Sequence, residues 1–526
     1  MSYQSFGFIL FSFAVLLVYY LAGRRGQRWV LALANLLFYT ASGFQYLPYL
    51  LITMVASFLT GKQIGRIYVR AAEKIAQCRV RSKEKELRAR AKAKAKKVLL
   101  AGMGITIALL VVCKYAGFVV NNLNVLLNVL GIPQVKLFQT VLPLGISFYS
   151  FMALSYVLDV YWQRYKAEES FLTYAVYLSY FPHVVQGPID RFNEFKAQIR
   201  DGVTFDIQKV LFGAQLILWG LFKKLVIANR LGIYVDYIFK RWDTVNGFML
   251  AAAIAVYSIQ IYADFSGCID IVSGVSEMYG IRMRQNFHNP YFSRTMAEFW
   301  RRWHISLQEW FKDYVYFPVS ASSFLRKVKK HFREKNKPEI AEQFSACFPI
   351  LVVWMITGIW HGASWTFVAW GLFHAAVLIG SRLLEPVFRK LSQWIGLDTE
   401  NFGWHCIQML RTYIICCVGR VFFRAPSLAI ALGIFRQIRE ESDFAKLFGS
   451  KLSYGLDTSN SVVAVLSVAV LLVADLLQER IPVRETLAKQ NTLFRWVILF
   501  AGLFSVIIFG IYGPGYDAVS FIYEQF

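Results

Sequence analysis

Seven histidines occur in the chain, at 183, 288, 304, 331, 361, 374 and 405, and two of them sit where an imidazole could do chemistry. His361 lies in IWHGASW, inside a 38-residue run from Phe344 to Ser381 that holds no Asp, Glu, Lys or Arg. A titratable group at membrane depth is costly and tends to face a cavity. Desolvation favours the neutral imidazole, the form that can act as a general base on a hydroxyl. Pore lining and a structural hydrogen bond are the competing readings of His361 from the residues alone. His304 lies in EFWRRWHISLQEWFKDYVYFP, residues 298–318. There Trp300, Trp303, His304, Leu307, Trp310, Phe311 and Tyr314 fall on one face of a helix. Arg301, Arg302, Gln308, Glu309 and Lys312 fall off it. The pattern predicts one amphipathic helix at an interface or plugged into a bundle, with His304 turned away from water. An interfacial anchor whose histidine bonds a neighbour is the alternative.

The other polar residues rank below these two. His374, thirteen residues past His361, reads as a hydrogen-bonded core histidine; His331 reads as solvated and His405 as interfacial. His183 and His288 precede turn-like QGP and NP. Asp264 and Asp270, in YADFSGCID, close an apolar span and are expected to pair with an arginine, with site lining as the second choice. Gln186, before Gly187 and Pro188, breaks a span and is a candidate tunnel residue, as are Trp303 and Trp360 beside the two histidines. Arg301 and Arg302 suit the phosphates of a donor, or anchor to headgroups. Of seven cysteines, six lie in or beside apolar segments and no pair has zinc-ligand spacing. They read as small buried hydrophobes, and no metal site is expected.

The elements that must position these residues are membrane helices. The chain of 526 residues is 56% hydrophobic and only 17% charged, with long apolar runs between short polar ones. That composition predicts an all-α polytopic bundle of about 10–13 spans, some partial or re-entrant, with apolar runs at 171–189, 345–360 and 365–381 among them. One integral membrane domain, 1–526, is expected. The first run, 7–23, does not read as a cleaved leader, because nothing basic precedes it and Arg24, Arg25 and Arg28 follow.

The net charge of +24 could suggest nucleic acid, but its distribution argues otherwise. Residues 62–97 hold fourteen Lys or Arg against three Glu and lie between two apolar spans. The positive-inside rule accounts for such a loop, and anionic headgroups add to it. Ala71–Lys97 favours helix. A second basic loop, 322–343, holds seven Lys or Arg against one Glu between Arg326 and Lys337. With both loops cytoplasmic, three preceding spans put the N-terminus outside, and the Arg24–Arg28 turn falls inside.

The run around His361 is too long for one span of about 20 residues. Its break falls at His361-Gly362-Ala363, since glycine permits a bend. Arg382, Arg389 and Lys390 follow the second arm, so both outer ends look cytoplasmic. The first arm, 345–360, rises about 24 Å, less than a hydrocarbon core of about 30 Å, which leaves His361 below the outer surface.

FWRRWHISLQEWFKDYVYFP followed by GIWHGASWTFVAWGLFH resembles the signature of the membrane-bound O-acyltransferase family, in particular its bacterial alginate O-acetylation branch. CKYAGF (113–118), VLPLGISFYSFMALSYVLDVY (141–161), FPHVVQGPIDRFNEF (181–195), YADFSGCIDIVSGVSEMYGI (262–281), NFHNPYF (286–292), GRVFFRAPSLAIAL (419–432) and FIYEQF (521–526) match as well, over most of the chain. The resemblance implies acyl transfer through the membrane. A cytoplasmic thioester, acetyl-CoA or a carrier-protein thioester, gives its acyl group to a hydroxyl of an exported polysaccharide or to an extracytoplasmic partner transferase. No bound cofactor and no nucleic acid are implied. By motif position His361 looks like the family's essential histidine and His304 like the second site position. The expected location is the bacterial cytoplasmic membrane. D-alanyl or carrier-dependent transfer to a wall polymer is the alternative within the enzyme class; a transporter or channel with histidines along a proton path is the alternative outside it.

Overall fold

A computed structural model describes residues 3–136, 141–444 and 455–512, so the terminal FIYEQF lies outside the described residues. Among the described residues nine helices are long and apolar enough to cross a bilayer: Phe44–Ala76, Arg81–Val129, Ile207–Phe239, Gly247–Met278, Pro338–His361, Trp365–Ile395, Phe402–Arg424, Thr458–Gln478 and Thr492–Phe509. Phe6–Leu21 and Ile146–Tyr161 are shorter apolar helices. The β-type pairing among these residues is one bridge between Phe287 and Trp303. The fold is an all-α polytopic bundle, as a bilayer demands, because a helix satisfies its backbone hydrogen bonds within itself. Ser5, Ser170, Ser364, Ser427, Asp457 and Asn491 start helices as side-chain N-caps. The outside is apolar as well as the core: Leu493, Val465 and Leu17 are exposed, while the charged Lys224 and Asp264 are buried.

Several expectations change. The apolar run 171–189 does not cross as a helix. Its helix ends at Ser179 after nine residues, and a buried loop follows. Pro182 and Pro188 lack the amide hydrogens a helix would need. His183 and Asp190 instead close the loop on itself at 3.2 Å, and the His183 Nε2 lies 2.9 Å from the Tyr177 carbonyl. The Arg24–Arg28 segment is no turn, since the helix Gly23–Ser42 begins before it and runs through it. Ala71–Lys97 is two helices, Leu47–Ala76 and Arg81–Val129, parted at residues 77–80. The basic stretch 322–343 is largely helical, with Ser323–Glu334 capped by Ser322 and only Leu325 of that helix buried. The helix that carries the first arm of the His361 hairpin starts at Pro338, ahead of the apolar run, and its 24 residues rise about 36 Å; the added residues 338–343 include Glu339 and Glu342.

The chain divides into two compact units, Met1–Ala214 with Val272–Arg284, and Gln215–Ile271 with Gln285–Phe526. In the first unit the loop after Ser179 is pinned from several sides. Tyr3 donates to the Phe181 carbonyl at 2.8 Å, the Phe181 amide donates to the Asn35 side chain at 2.9 Å, and the Arg284 amide donates to Asp190 at 3.1 Å. In the second unit an aromatic core joins Phe265, Phe299, Trp300, Trp303, Trp354, Trp370 and Phe423. Both His304 and His361 belong to this second unit.

Candidate active site

The helices Pro338–His361 and Trp365–Ile395 form a hairpin joined by Gly362, Ala363 and Ser364. Two glycines set its closeness: a Cβ added to Gly371 would lie 3.2 Å from the Gly358 Cα. Any larger residue at this crossing would wedge the arms apart. Gly362 itself adopts an extended backbone open to any residue. Its small size matters because the Phe367 ring occupies the space a side chain would need. The expectation of a conformational role for this glycine thus becomes one of space.

His361 is the last residue of the first arm. Its ring packs against Trp360 at 4.8 Å, Trp370 at 4.8 Å, Phe423 at 5.2 Å and Phe367 at 6.4 Å between centroids. It is 5% exposed. Aromatic walls from two neighbouring helices enclose it.

His304 is reached differently. The single amphipathic helix expected over 300–314 is broken at Trp303 and His304 into Met296–Arg302 and Ile305–Phe311. His304 has φ +48° and ψ +51°, a left-handed conformation that a residue with a Cβ seldom takes. Residues 286–288 hold the break: the His288 amide donates to the Arg302 carbonyl at 3.0 Å, and the Ile305 amide donates to the Asn286 carbonyl at 2.9 Å. His304 is buried, with Phe265 edge-on at 4.8 Å and Trp360 at 6.2 Å. The periodicity of the apolar face was therefore legible, but the turn at its centre was not. The αL break redirects the histidine.

Trp360 is thus the shared wall of the two imidazoles, 4.8 Å from one and 6.2 Å from the other. Trp303 is also in this core, stacked on Phe299 at 5.5 Å with the Arg420 guanidinium 4.5 Å from its ring centroid, a cation–π arrangement. Asp264 is buried but pairs with Lys224 at 2.6 Å, so the expected arginine partner is a lysine. Asp270 pairs with Lys223, likewise at 2.6 Å. Arg301 is exposed, and Arg302 is held by Glu479 at 2.6 Å and Glu298 at 3.0 Å. Gln186 is fully buried in the first unit. His374 packs among Trp300, Trp354 and Trp370.

Lys223, Lys224 and Arg420 escaped selection from the sequence. The signal was present: two lysines interrupt an apolar span, and an arginine sits in the helix Phe402–Arg424, each an intramembrane charge that needs a partner. The two lysines occupy a π-helical stretch, Phe222–Ala228. They pair with separate carboxylates of the helix Gly247–Met278, Lys224 with Asp264 and Lys223 with Asp270.

A buried imidazole can take a proton from a hydroxyl brought within hydrogen-bond reach. The comparisons with known proteins bear on that chemistry. Residues 168–332 match the family model described as MBOAT, membrane-bound O-acyltransferase family; this segment contains His304 and ends before His361. A probable alginate O-acetylase AlgI of Pseudomonas putida is 30% identical over 454 residues, covering 86% of this chain and 83% of the relative. A peptidoglycan O-acetyltransferase of Helicobacter pylori is 27% identical, over 77% of this chain and 72% of the relative. A teichoic acid D-alanyltransferase of Bacillus subtilis is 25% identical, over 53% of this chain and 68% of the relative. A 30% identity sustained over five-sixths of both chains is a match of whole architectures: this chain belongs to the membrane-bound O-acyltransferase family and is an O-acyltransferase.

Proposed function

We propose that the chain moves an acetyl group from a cytoplasmic thioester, acetyl-CoA or a carrier-protein thioester, to a hydroxyl of an exported polysaccharide or of an extracytoplasmic partner transferase. The observation that carries this reading is the pairing of His361 and His304 about Trp360 in one buried aromatic core. The alginate and peptidoglycan O-acetylating relatives support an acetyl donor and an exported polymer over D-alanyl transfer, because they match more of the chain.

In this mechanism the His361 imidazole removes the proton of the acceptor hydroxyl. The oxygen attacks the thioester carbonyl carbon, and the carbonyl π electrons move to its oxygen. As the carbonyl re-forms, the C–S bond breaks. The imidazolium returns the proton to the departing sulfur, so the products are an O-acyl ester and a free thiol. His304 holds or polarises the donor carbonyl, or completes the proton path. Water exclusion by Trp360, Trp370 and Phe423 strengthens each of these interactions. The basic segments 62–97 and 326–337 support a cytoplasmic face for the donor and an outside N-terminus, in the cytoplasmic membrane of a bacterium.

The test is acetyl transfer from labelled acetyl-CoA to polymer by membranes holding the parent chain, His361→Ala or His304→Ala. A general base is worth about 10²–10⁴ in rate, so His361→Ala should lose detectable transfer while the protein still folds. Near-normal transfer by a folded His361→Ala protein would end the assignment. Transfer only from a D-alanyl carrier thioester would replace the donor and keep the chemistry.

A further inference from the structure

His304 occupies the N-cap of the helix Ile305–Phe311, yet its side chain makes no capping hydrogen bond. An N-cap residue ordinarily turns its own side chain back to the first-turn amides, which is why Ser, Thr, Asp and Asn dominate there. At this helix the cap comes from elsewhere in the chain. The Asn286 side-chain oxygen accepts from the Ser306 amide at 3.1 Å, and the Asn286 carbonyl accepts from the Ile305 amide at 2.9 Å. One residue thus satisfies the first two amides of the helix with its side chain and its backbone. The pairing continues outward, with the bridge between Phe287 and Trp303 and the His288 amide on the Arg302 carbonyl. Asn286 is 1% exposed, so water does not substitute for it.

We infer that Asn286 is a positioning residue: it caps the Ile305–Phe311 helix in place of His304, locks His304 in its left-handed conformation, and so sets the direction of the imidazole in the acyl-transfer site. The inference rests on the proposed role of His304 in that site. A left-handed residue with a Cβ costs of order 1–3 kcal/mol and persists only where its surroundings over-determine it. Two backbone hydrogen bonds across the Phe287–Trp303 bridge and one side-chain cap do that here. Without the side-chain cap, the Ser306 amide is a buried donor with no acceptor from Asn286. The strand-like clamp then loosens on the one residue whose direction matters.

The experiment compares purified full-length parent, Asn286→Ala, Asn286→Ser, His304→Ala and the double variant His304→Ala/Asn286→Ala. Transfer rates are normalised to monodisperse, folded protein, and thermal midpoints are recorded alongside. Displacing a positioned group by about 1 Å costs roughly 10²-fold, so Asn286→Ala should lower kcat roughly tenfold to a hundredfold. KM for acetyl-CoA should change far less. Asn286→Ser, which keeps a shorter acceptor, should recover part of kcat and remain a few fold slower than the parent. The double variant should be no slower than His304→Ala, because both changes act on one group. A merely structural Asn286 predicts a lower thermal midpoint with an unchanged kcat per folded molecule, and that result overturns the inference. A double variant much slower than His304→Ala overturns it too. Full activity of His304→Ala would instead remove the reading of the site on which the inference stands, a separate failure. If Asn286→Ala does not fold, Asn286→Ser carries the test: slower than parent by a few fold with KM unchanged supports positioning, and parent-like kcat with a lowered thermal midpoint refutes it.

Discussion

Replacing Gly358 with alanine should disable the enzyme by moving one backbone past another. The added Cβ would stand 2.5 Å from the Phe367 carbonyl oxygen and 3.2 Å from the Gly371 Cα, whereas ordinary contact begins at 3.4 Å. Both neighbours are backbone atoms, which cannot swing aside as a side chain can. The two arms of the hairpin must part by about 0.9 Å at the carbonyl contact to admit the methyl group. His361 lies three residues further along the same arm, less than one helical turn, so the displacement reaches its ring. Overpacking of this kind costs about 1–3 kcal/mol, and alanine regains about 1 kcal/mol in helix propensity. The protein should therefore fold with a slightly lowered thermal midpoint. A shift approaching 1 Å in a group held for proton transfer costs roughly 10²-fold, so acyl transfer should fall far more than stability does. Gly380, on the second arm, is the control: a Cβ there meets nothing within 4 Å. Gly380→Ala should be neutral or slightly stabilising and fully active. Labelled acyl transfer and thermal unfolding in detergent, measured on both variants, decide the matter. An active Gly358→Ala protein with an unchanged midpoint refutes the reasoning, as does a Gly380→Ala protein impaired to the same degree.

Other outcomes follow from the same structure. His361→Ala should lose transfer by at least about 10²-fold while eluting and melting like the parent. Lys224→Met should destabilise the bundle by about 3–5 kcal/mol, because it strands Asp264, buried at 2% exposure, without its 2.6 Å partner. The double change Lys224→Met/Asp264→Leu should restore most of the thermal midpoint, and a single variant as stable as the parent contradicts this pairing. With the other six cysteines replaced, Cys78 in the basic segment should resist an impermeant maleimide in intact cells and react after permeabilisation; labelling from outside reverses the proposed orientation.

The sequence carried the signals that depend on composition and local order. Apolar run lengths marked the helical bundle, because lipid leaves a spanning chain almost no other way to satisfy its backbone. The hairpin around His361 was legible from a run too long for one span, and the two histidine motifs were legible as a pair through resemblance. The fate of 171–189 was harder to read. An apolar run is equally a crossing helix or a buried loop, and Pro182, Pro188 and the His183–Asp190 contact decide between them only once the chain is folded. Periodicity also placed His304 on the apolar face but assumed an unbroken helix across it.

What only the tertiary structure decided is where side chains far apart in sequence meet. Asn286, eighteen residues before His304, supplies the cap that the sequence would assign to the N-cap residue itself. Asp264 finds Lys224 forty positions away, and Arg420 covers Trp303 across more than a hundred. Gly358 and Gly371 define a helix crossing that neither glycine announces alone. Helix formation is local, set within a turn or two by hydrogen bonds and propensity, so the sequence by itself determined most of the helices, and its two motifs named both histidines. Bringing the two histidines to one tryptophan depends on close packing between elements, where a single methyl group changes the answer.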